Sequence, residues 1–515
     1  NNLAKTSADP VIVERANELN ADIALPFPVF SPLLELGFSA QSDSEGGRKH
    51  MIPTYDLFDD DSNPATVDTG PDKSILDFTA MYEINELPSV IKAGFIAQAA
   101  GFSLLFAPEI RETTTGLLDN NNLINIPLDL TEINYYSLPF RAISAFYSPP
   151  FEIRLGRDKL KLGPSRWCGL TLNSYMPYYD YIKARFFVPG FSFSAYMINL
   201  NPIITSNESD YLNSLTTAEY KKLEPNGPKN GDPYVDRFKN LVLSRATFTP
   251  WQWLSFTFTQ CNLIGGRPPE ISDFNPLLVF HNNFDEGTYS VPVSLSLTCV
   301  PYKGIRLYGE FYFYDAPAGD ETVATENPLA VAYQVGFTVL SNPFFSLGPG
   351  RFRLDAEFSY ADPWTYGKAY DLRKFTSRFV YVESFVGRYW VDYPLGFYLG
   401  PDVIDLHFSL AYGIPGTWEA ELHWNTTAKG QVDMYGWGAD NDYYHIGETG
   451  YALGFAPSGT VAWTNSLTVS GYYVVSPGVT ISAWYRLTHM KNRYNIADQG
   501  RFYNYAGVSA VWKIY

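Results

Sequence analysis

Residues 149–188 contain two runs in which apolar and charged side chains alternate, and this alternation limits the folds open to the chain. Successive side chains of a β-strand point to opposite faces, so each run predicts a strand with one apolar and one charged face. In water the pattern predicts a half-buried hairpin, and in a membrane it predicts two strands of a barrel with a polar lumen. The apolar faces carry Phe151, Ile153, Leu155, Ile182, Ala184 and Phe186, and the opposite faces carry Glu152, Arg154, Gly156, Lys183 and Arg185.

The same alternation recurs in the second half of the chain. Between residues 351 and 358, for example, Phe352 and Leu354 alternate with Arg353 and Asp355. An arginine that faces lipid near the bilayer midplane costs about 2–4 kcal/mol, so the charged faces are predicted to line the lumen. A soluble β-sandwich with one wet face also alternates, but it would leave a large aromatic-rich sheet surface uncovered. The predicted lumen charge network consists of Arg154, Arg157, Asp158, Arg306, Glu310, Arg353, Asp355, Glu357 and Glu421.

Tight turns containing Pro or Gly alternate along the chain with long polar segments. If the tight turns form one end of a barrel and the long segments form the other, the chain has about eighteen strands and both termini lie at the tight-turn end. The predicted fold class is therefore all-β: a transmembrane antiparallel β-barrel with periplasmic termini and long extracellular loops. The first four predicted strands are 31–41, 74–85, 90–105 and 134–148, with a tight turn at Leu87-Pro88.

The composition agrees with such a barrel. Aromatic residues make up 17% of the chain, with 38 Tyr, 36 Phe and 11 Trp, while the mean hydropathy is slightly negative at −0.14. Barrel strands are only half apolar, and their aromatic residues gather in girdles at the two membrane interfaces. No apolar window approaches the roughly 18 residues of a transmembrane helix. The net charge of −17 argues against binding of nucleic acid.

No linker, charge block or low-complexity tract divides the 515 residues, so one large domain is predicted. Residues 1–30 are predicted to form a short periplasmic N-terminal segment, and residues 31–515 to form the barrel. The first residues, NNLAKT, lack the basic and apolar regions of an export signal, so the sequence is interpreted as mature material. The expected location is the bacterial outer membrane, with membrane lipid and the barrel-assembly machinery as partners.

Motifs of common catalytic sites are absent from the sequence, including HExxH, GxSxG, the Walker loop and CxxC pairs. No enzymatic activity and no cofactor are therefore expected. His407 and His423, on the predicted inner face, leave a metal site open as an alternative, and Glu419 and Glu421 leave open a glycosidase-like carboxylate pair. The preferred interpretation of the histidines is that they are ordinary hydrogen-bonded residues of the lumen. The preferred interpretation of the carboxylates is a salt-bridged lumen, because several arginines are predicted to face it.

An acidic segment offers a weak calcium candidate. Asp59, Asp61 and Asn63 lie at alternate positions, as oxygen ligands of calcium often do. However, Pro64 stands where an EF-hand has its turn glycine, and Gly70 stands where it has a bidentate glutamate. A solvated acidic loop is the preferred interpretation, and calcium is the alternative.

Three predicted external segments, 167–181, 363–372 and 434–445, combine aromatic residues with Asn or Asp. Sugar rings stack on aromatic faces while planar polar groups bond their hydroxyls, so this composition suits glycan recognition. Interfacial girdles use the same aromatic residues, which leaves a purely membrane-anchoring role open. The candidate glycan-binding residues are Trp167, Asn173, Tyr175 and Tyr178.

The segment 163–179 is also predicted to fold inward. The apolar alternation slips after Gly156, which predicts a bulge there, with Arg157 and Asp158 both facing the lumen. The two charges would then clamp the following loop to the barrel wall through charge-assisted hydrogen bonds. A role of the same residues in barrel assembly alone is the alternative.

Two blocks of the sequence resemble the capsule-assembly Wzi family of outer-membrane proteins. The first is LGRDKLKLGPSRWCGLTLNSYMPYYDYIKARF, and the second is ISDFNPLLVFHNN followed by IRLYGEFYFYDAP. Their order and spacing agree with that family over roughly residues 130 to 320. Ser165-Arg166 replaces a second glycine of the family pattern. The resemblance implies an eighteen-stranded outer-membrane barrel that acts as a lectin and holds capsular polysaccharide at the cell surface.

Two functions from different classes follow from these observations. The first is a plugged barrel that binds and retains surface polysaccharide through its external loops. The second is a porin or channel for small solutes or sugars, because barrels of 16 to 18 strands can leave an aqueous passage. The two differ in what fills the lumen.

Overall fold

The computed structural model describes residues 29–43, 48–53, 78–83, 88–110, 114–116, 122–124, 140–203, 238–275, 289–315, 330–341, 348–367, 371–383, 387–432, 434 and 455–514. The predicted N-terminal segment 1–30 lies almost entirely outside these residues, as do the calcium candidates Asp59, Asp61 and Asn63. Within the described part of the chain, no helix has the length and apolar character needed to cross a membrane.

Eighteen antiparallel strands form one closed barrel. Each strand pairs with its neighbours in the chain, and the last pairs with the first, where Leu34 lies opposite Ile514. The strands are β1 (Val29–Asp43), β2 (Ile91–Ala99), β3 (Phe102–Ala107), β4 (Arg141–Ser148), β5 (Phe151–Asp158), β6 (Tyr179–Val188), β7 (Phe191–Asn199), β8 (Lys239–Trp251), β9 (Leu254–Gly265), β10 (Val293–Tyr302), β11 (Ile305–Asp315), β12 (Ala330–Leu340), β13 (Arg351–Ala361), β14 (Val403–Ile414), β15 (Trp418–Lys429), β16 (Ala462–Ser476), β17 (Val479–Lys491) and β18 (Arg501–Ile514).

The predicted strand number is confirmed, but two errors near the N-terminus cancel in the count. The predicted strand 74–85 is wrong, because its described part, Phe78–Glu83, belongs to a separate three-stranded sheet. The predicted strand 90–105 is two strands, β2 and β3, joined at Ala100 and Gly101. Both turn residues have positive φ, of 47° and 85°, and glycine adopts such angles without steric cost. Apolar residues continue on both sides of this turn, so no polar segment marks it in the sequence.

The predicted alternation of faces is confirmed along the later strands. Leu307 and Phe311 of β11 are 45% and 44% exposed on the outer surface, whereas the intervening Tyr308 and Glu310 are 5% and 3% exposed inside the barrel. In a bilayer the outer surface contacts lipid tails, so these apolar side chains leave no polar group unsatisfied. The apolar outer face continues around the barrel with Phe151, Ile153, Leu155, Ile182, Leu297, Val335, Phe408, Leu410, Leu422, Ile481, Leu487, Val508 and Trp512.

Short turns connect the strands at one end of the barrel, and longer segments connect them at the other. β1 begins and β18 ends at the short-turn end, which we call the turn end, and the other is the loop end. Two of the longer segments fold inward: loop A, residues 159–178, and loop B, the described residues of 362–402. Loop B contains its own hairpin, Thr376–Glu383 paired with Gly387–Pro394.

The hydrophobic core lies inside the barrel, where loops A and B together form what we call the plug. Apolar side chains of the plug pack against lumen-facing residues of β6 to β13. This arrangement buries large aromatic rings in the lumen, as in the interior of a soluble protein. Core members include Leu170, Leu172 and Met176 of loop A, Trp364, Tyr366, Phe375, Leu395 and Phe397 of loop B, and Tyr181, Tyr196, Leu243, Cys261 and Tyr312 of the wall.

Candidate functional site

Loop A closes on itself before it meets the barrel wall. Leu162 and Leu172 form an isolated antiparallel bridge across the loop, in which the Leu162 amide donates to the Leu172 carbonyl over 2.9 Å. Gly169 lies inside this closure, and a Cβ there would come within 2.3 Å of the Leu162 carbonyl oxygen. Only glycine fits this close approach of two backbone segments.

Glu357 of β13 is the main attachment point of loop A. Its carboxylate accepts hydrogen bonds from the Ser165 hydroxyl (2.8 Å) and the Arg166 amide (2.9 Å). On the wall, Gln334 and the Tyr308 hydroxyl donate to the same carboxylate over 2.9 Å and 2.6 Å. All these groups are buried or nearly so, and hydrogen bonds are stronger in such a low-dielectric environment than in water. Glu357 therefore joins loop A to two neighbouring strands.

Glu310 of β11 is a second attachment point. Its carboxylate accepts a hydrogen bond from the Thr171 hydroxyl and a longer one, 3.4 Å, from the Leu170 amide. The Thr171 hydroxyl also lies 2.7 Å from the Ser294 hydroxyl of β10. The backbone of Gly163 passes close by, since a Cβ there would meet a Glu310 oxygen at 2.5 Å. Two of the predicted lumen carboxylates, Glu310 and Glu357, thus accept hydrogen bonds from the inward-folded loop.

Arg166 extends from loop A across the lumen to two acidic side chains. Its guanidinium bonds Asp355 of β13, and it bonds Glu421 of β15 over 2.8 Å. Arg353 reaches the same two carboxylates, with its Nε 3.3 Å from Asp355 and its Nη2 3.3 Å from Glu421. The predicted residues Arg353, Asp355 and Glu421 therefore lie together. Their central partner, Arg166, was not among the predicted lumen charges because it belongs to a loop rather than to an alternating strand.

The expected clamp by Arg157 and Asp158 is present only in part. Arg157 forms a bidentate pair with Asp180 of β6, both distances being 2.7 Å, and Asp158 pairs with Arg141 of β4 at 2.7 and 3.1 Å. The register of β5 with both neighbours runs without a shift, so the expected bulge at Gly156 is absent and Arg157 keeps the outward phase instead of facing the lumen. The two charges also contact the ends of loop A, since the Arg157 guanidinium lies 3.8 Å from the centroid of the Tyr178 ring and Asp158 accepts a hydrogen bond from the Lys159 amide over 2.9 Å. The middle of loop A is held from the opposite wall.

The remaining predicted lumen charges also have partners in the structure. Arg306 donates to the Pro164 carbonyl oxygen of loop A. Arg154 lies 3.3 Å from Glu152, which also faces two cations of β6.

The four predicted glycan-binding residues are engaged in holding the plug. Asn173 has no exposed surface, and its side-chain amide donates to the carbonyl oxygens of Pro394 and Gly396 in loop B. Trp167 stacks on His407 with ring centroids 4.6 Å apart. The sequence correctly placed these residues on one inward-folded loop, but it did not show that their side chains pack against loop B and the barrel wall.

The two tyrosines lie nearer the loop end. Tyr175 stacks on Tyr398 of loop B at 4.7 Å, and Tyr178 meets Phe379 edge to face at 5.2 Å. Tyr178 immediately precedes β6, which begins at the loop end, and both tyrosines are half-buried. They retain accessible aromatic surface on the outer side of the plug.

Loop B holds loop A through further contacts. The Tyr366 hydroxyl donates to the Leu170 carbonyl oxygen over 3.1 Å, and the Tyr398 amide donates to the Cys168 sulfur over 3.3 Å. Burial raises the pKa of the Cys168 thiol and of the Tyr366 hydroxyl, so both groups stay neutral inside the plug. Sequence patterns did not identify these contacts, because the two loops are about 200 residues apart in the chain.

The histidine pair considered as a metal site forms a hydrogen-bonded stack. A nitrogen of His407 lies 2.8 Å from Asp405, and its other ring nitrogen lies 3.0 Å from His423. The two rings are nearly parallel, and Trp167 stacks on both. Within the described residues, no group of three or more His, Cys, Asp or Glu side chains has a metal-binding arrangement.

Asp402 links segments at the loop end of the barrel, and we call these linked residues, Asp402, Gly430, Val432 and Ser458, the rim. Its buried carboxylate accepts hydrogen bonds from the amides of Val432 and Ser458, at 2.9 and 2.8 Å, and from the Ser458 hydroxyl at 2.6 Å. A Cβ at Gly430 would come within 2.0 Å of an Asp402 oxygen, so glycine is required there. This side chain connects the end of loop B to the segments that flank the connection between β15 and β16.

The lumen face of β16 and β17 differs from the face that carries the plug. Tyr472, Trp484 and Arg486 point inward and are only half-buried. Arg486 bonds Thr468 on the same wall over 3.1 Å. This wall, which we call the wet wall, retains accessible polar surface inside the barrel.

Comparison with known structures identifies related folds. The chain is similar to Wzi of Escherichia coli, a carbohydrate-binding outer-membrane β-barrel involved in group 1 capsule assembly, with 12% identity over 98% of this chain and 87% of that chain and a TM-score of 0.50. It is also similar to OprD of Pseudomonas aeruginosa, with 9% identity over 96% and 97% of the two chains and a TM-score of 0.42. No family model and no curated protein matches the sequence.

The resemblance to the Wzi family is confirmed at the level of the fold. The fold is that of an outer-membrane β-barrel, and the protein is located in the bacterial outer membrane.

Proposed function

We propose that this barrel is a non-catalytic protein that binds and retains surface polysaccharide at its loop end, with the plug as a closed floor beneath the binding surface. The observation that carries the proposal is the attachment of loop A to the wall through Glu310, Glu357 and Arg166, which fills the lumen beside β6 to β13. A passage for solutes does not need such a core, whereas a rigid floor limits the conformational entropy lost when a glycan binds.

The outer side of the plug offers the chemistry that sugars require. Tyr175 stacks on Tyr398, and Tyr178 packs edge to face against the buried Phe379, so each of these loop A tyrosines contacts a loop B ring. Tyr175, Tyr178 and Tyr398 are half-buried, and rings held by packing present flat apolar surface at a low entropy cost. These three tyrosines are the proposed sugar platform, with capsular polysaccharide as the ligand, by analogy with the carbohydrate-binding barrel Wzi of Escherichia coli.

The test compares the variant Tyr175→Ala/Tyr398→Ala with the control Tyr485→Ala, whose aromatic ring faces lipid. Each barrel is expressed in encapsulated cells that lack the parent protein, and the polysaccharide released into the medium is measured against that on the cells. We expect the double variant to release more polysaccharide, and Tyr485→Ala to behave as the parent. Equal retention by both folded variants would contradict the proposed platform.

A channel is the second candidate function, and the wet wall favours it. The inward-facing Tyr472, Trp484 and Arg486 keep accessible surface that a completely filled lumen would cover. Single-barrel recordings in planar bilayers separate the two functions. The binding proposal expects no steady ion current from the parent protein, and a stable open conductance would support the channel.

Orientation is part of the proposal. We expect the loop end to face outward, with membrane lipid around the apolar belt and with insertion by the barrel-assembly machinery. An epitope inserted at Asn207 or Asp440, in connections at the loop end, should be accessible on intact cells. An epitope inserted at Pro301-Tyr302, at the end of β10 beside a short turn, should be protected, and its labelling on intact cells would reverse the orientation.

A further inference from the structure

A group of cations faces the lumen on strands β5, β6 and β8, in a chain whose net charge is −17. Glu152 is the carboxylate at its centre, and it lies 3.3 Å from Arg154, 3.2 Å from Lys183 and 3.6 Å from Arg185. One negative charge therefore faces three positive charges. We call Glu152, Arg154, Lys183, Arg185 and the nearby Arg245 the cation cluster.

Strand register shows that the cluster is continuous. Glu152 lies opposite Arg185, Arg185 lies opposite Ser194 of β7, and Ser194 lies opposite Arg245 of β8. Since neighbouring strands are about 4.8 Å apart, the two arginines are separated by about 10 Å with a small hydroxyl between them. Long arginine side chains can converge on a group placed over Ser194.

Other acidic groups near the cluster are bonded elsewhere. Glu310, which interacts electrostatically with Arg245, accepts hydrogen bonds from Thr171 and Leu170 of loop A. Asp158, further along β5, pairs with Arg141. Even with Glu310 counted, the four cations of the cluster exceed the carboxylates that face them among the residues that the structure describes.

The cluster is also accessible from the lumen. The side chain of Arg185 is 29% exposed and that of Arg154 is 21% exposed, while Lys183 and Glu152 are buried beneath them. Aromatic surface lies beside them, since Arg185 is 5.2 Å from the Phe187 ring, which stacks on Tyr147 at 5.5 Å. On β6 the cluster lies on the turn side of Tyr181, which packs against the plug.

We propose that the cation cluster is a binding site for an anionic group, a carboxylate or phosphate, that enters the lumen from the turn end. Excess positive charge in a partly desolvated lumen attracts anions, because low-dielectric walls strengthen the field there. Arg154, Arg185 and Arg245 would donate hydrogen bonds to the anion, and Ser194 would offer its hydroxyl. The site goes beyond the proposed polysaccharide platform, which lies at the loop end and uses different residues.

Titration calorimetry of the purified barrel in a non-ionic detergent tests the site with glucuronate, inorganic phosphate and glucose as probes. We expect at least one of the two anions to bind and glucose not to bind. Binding of glucuronate alone would identify a sugar acid as the ligand class, and binding of both anions would identify a general oxyanion site. Equal behaviour of glucuronate and glucose, with phosphate not binding, would overturn the proposal.

Two substitutions in the cation cluster should change the anion affinity in opposite directions. Arg185→Gln, at the most accessible cation, should weaken anion binding about tenfold, since it removes one charge-assisted hydrogen bond. Glu152→Gln should tighten binding, because it removes the internal competitor for the same cations. If Glu152→Gln does not fold, Arg245→Gln supplies the second measurement and should weaken binding as Arg185→Gln does.

The matched control is Arg486→Gln, a lumen arginine on the wet wall. It should leave anion affinity within about twofold of the parent, a change worth less than 0.5 kcal/mol. Unchanged binding in Arg185→Gln and Arg245→Gln, or equal losses in these variants and Arg486→Gln, would sink the proposal. Polysaccharide retention by cells is measured separately, so failure of the loop-end platform and failure of this site can be told apart.

Discussion

The wall formed by β6 to β13 and the wet wall formed by β16 and β17 differ in what covers their inward-facing side chains. Between β6 and β13 the lumen is a protein core, in which buried tyrosines and leucines of the wall pack against loops A and B. On β16 and β17 inward-facing residues such as Tyr472, Trp484 and Arg486 are polar or amphipathic and keep accessible surface. One barrel thus combines a core like that of a soluble domain with an inner wall that is only partly covered by the described residues.

The comparison shows that strand alternation alone does not determine what a lumen contains. Both walls alternate in the same way and both place apolar residues toward lipid. They differ in what their inward-facing charged residues bond: Glu310 and Glu357 accept hydrogen bonds from loop A, whereas Arg486 donates to Thr468 of its own wall. Loop attachment therefore depends on a few acceptors at lumen positions.

The largest effect is expected from Glu357→Ala. The substitution leaves the Ser165 hydroxyl, the Arg166 amide and the Tyr308 hydroxyl without their shared acceptor, at a cost of about 3–5 kcal/mol. Loop A should leave the wall, which would lower the thermal midpoint and create ion current in planar bilayers. Glu419→Ala, a half-buried carboxylate of β15, is the control and should change neither property much. A parent-like current and midpoint in Glu357→Ala would contradict the role assigned to this residue.

A somewhat smaller effect is expected from Leu172→Ala. This side chain is completely buried in the plug, so its truncation should cost about 2–4 kcal/mol through lost burial and a cavity. The matched change Leu422→Ala removes a leucine from the lipid-facing surface, where lipid can fill the space. Chemical denaturation in detergent compares the two. Equal losses would mean that the plug is not packed as a core.

Asp402→Asn should act locally at the rim. It weakens the acceptor of three hydrogen bonds from Val432 and Ser458, with an expected cost of about 1–2 kcal/mol. Hydrogen exchange of the Val432 and Ser458 amides should accelerate, while the amides of loop A stay protected. Faster exchange throughout loop A would show that rim and plug open together.

The smallest effect is expected on the wet wall. Arg486→Gln should change unfolding stability by no more than about 0.5 kcal/mol, since its side chain is half-buried and the hydrogen bond described for it is to Thr468 on the same wall. A loss comparable with that of Leu172→Ala would remove the distinction between the walls.

Much of the barrel could be predicted from sequence because strand alternation and turn residues depend on neighbours in the chain. Period-two alternation placed Arg353 inside and left Leu354 in the opposite phase, and turn residues marked most of the tight turns from Pro149-Pro150 onward. The strand number was correct only because two errors near the N-terminus cancel. The turn at Ala100 and Gly101 escaped prediction because apolar residues continue across it.

The candidate site was predicted less well because its contacts are distant in the chain. Glu310, Asp355, Glu357 and Glu421 were predicted to face the lumen, but their bonding partner, loop A, is between 139 and 255 residues away. Arg157 and Asp158 were assigned to the loop because they adjoin it in sequence, yet their salt bridges are to neighbouring strands, and their contacts with loop A are at its two ends, Lys159 and Tyr178.

The mutual attachment of loops A and B has a consequence for the order of folding. Asn173 bonds backbone groups at residues 394 to 396, so loop A cannot complete its contacts until β13 and loop B have been delivered to the membrane. The seam between β18 and β1, in contrast, adjoins β17 of the wet wall, away from most of these contacts. The contacts between loops A and B can therefore form while the sheet is still open, and closure of the seam then joins β18 to β1 away from the plug.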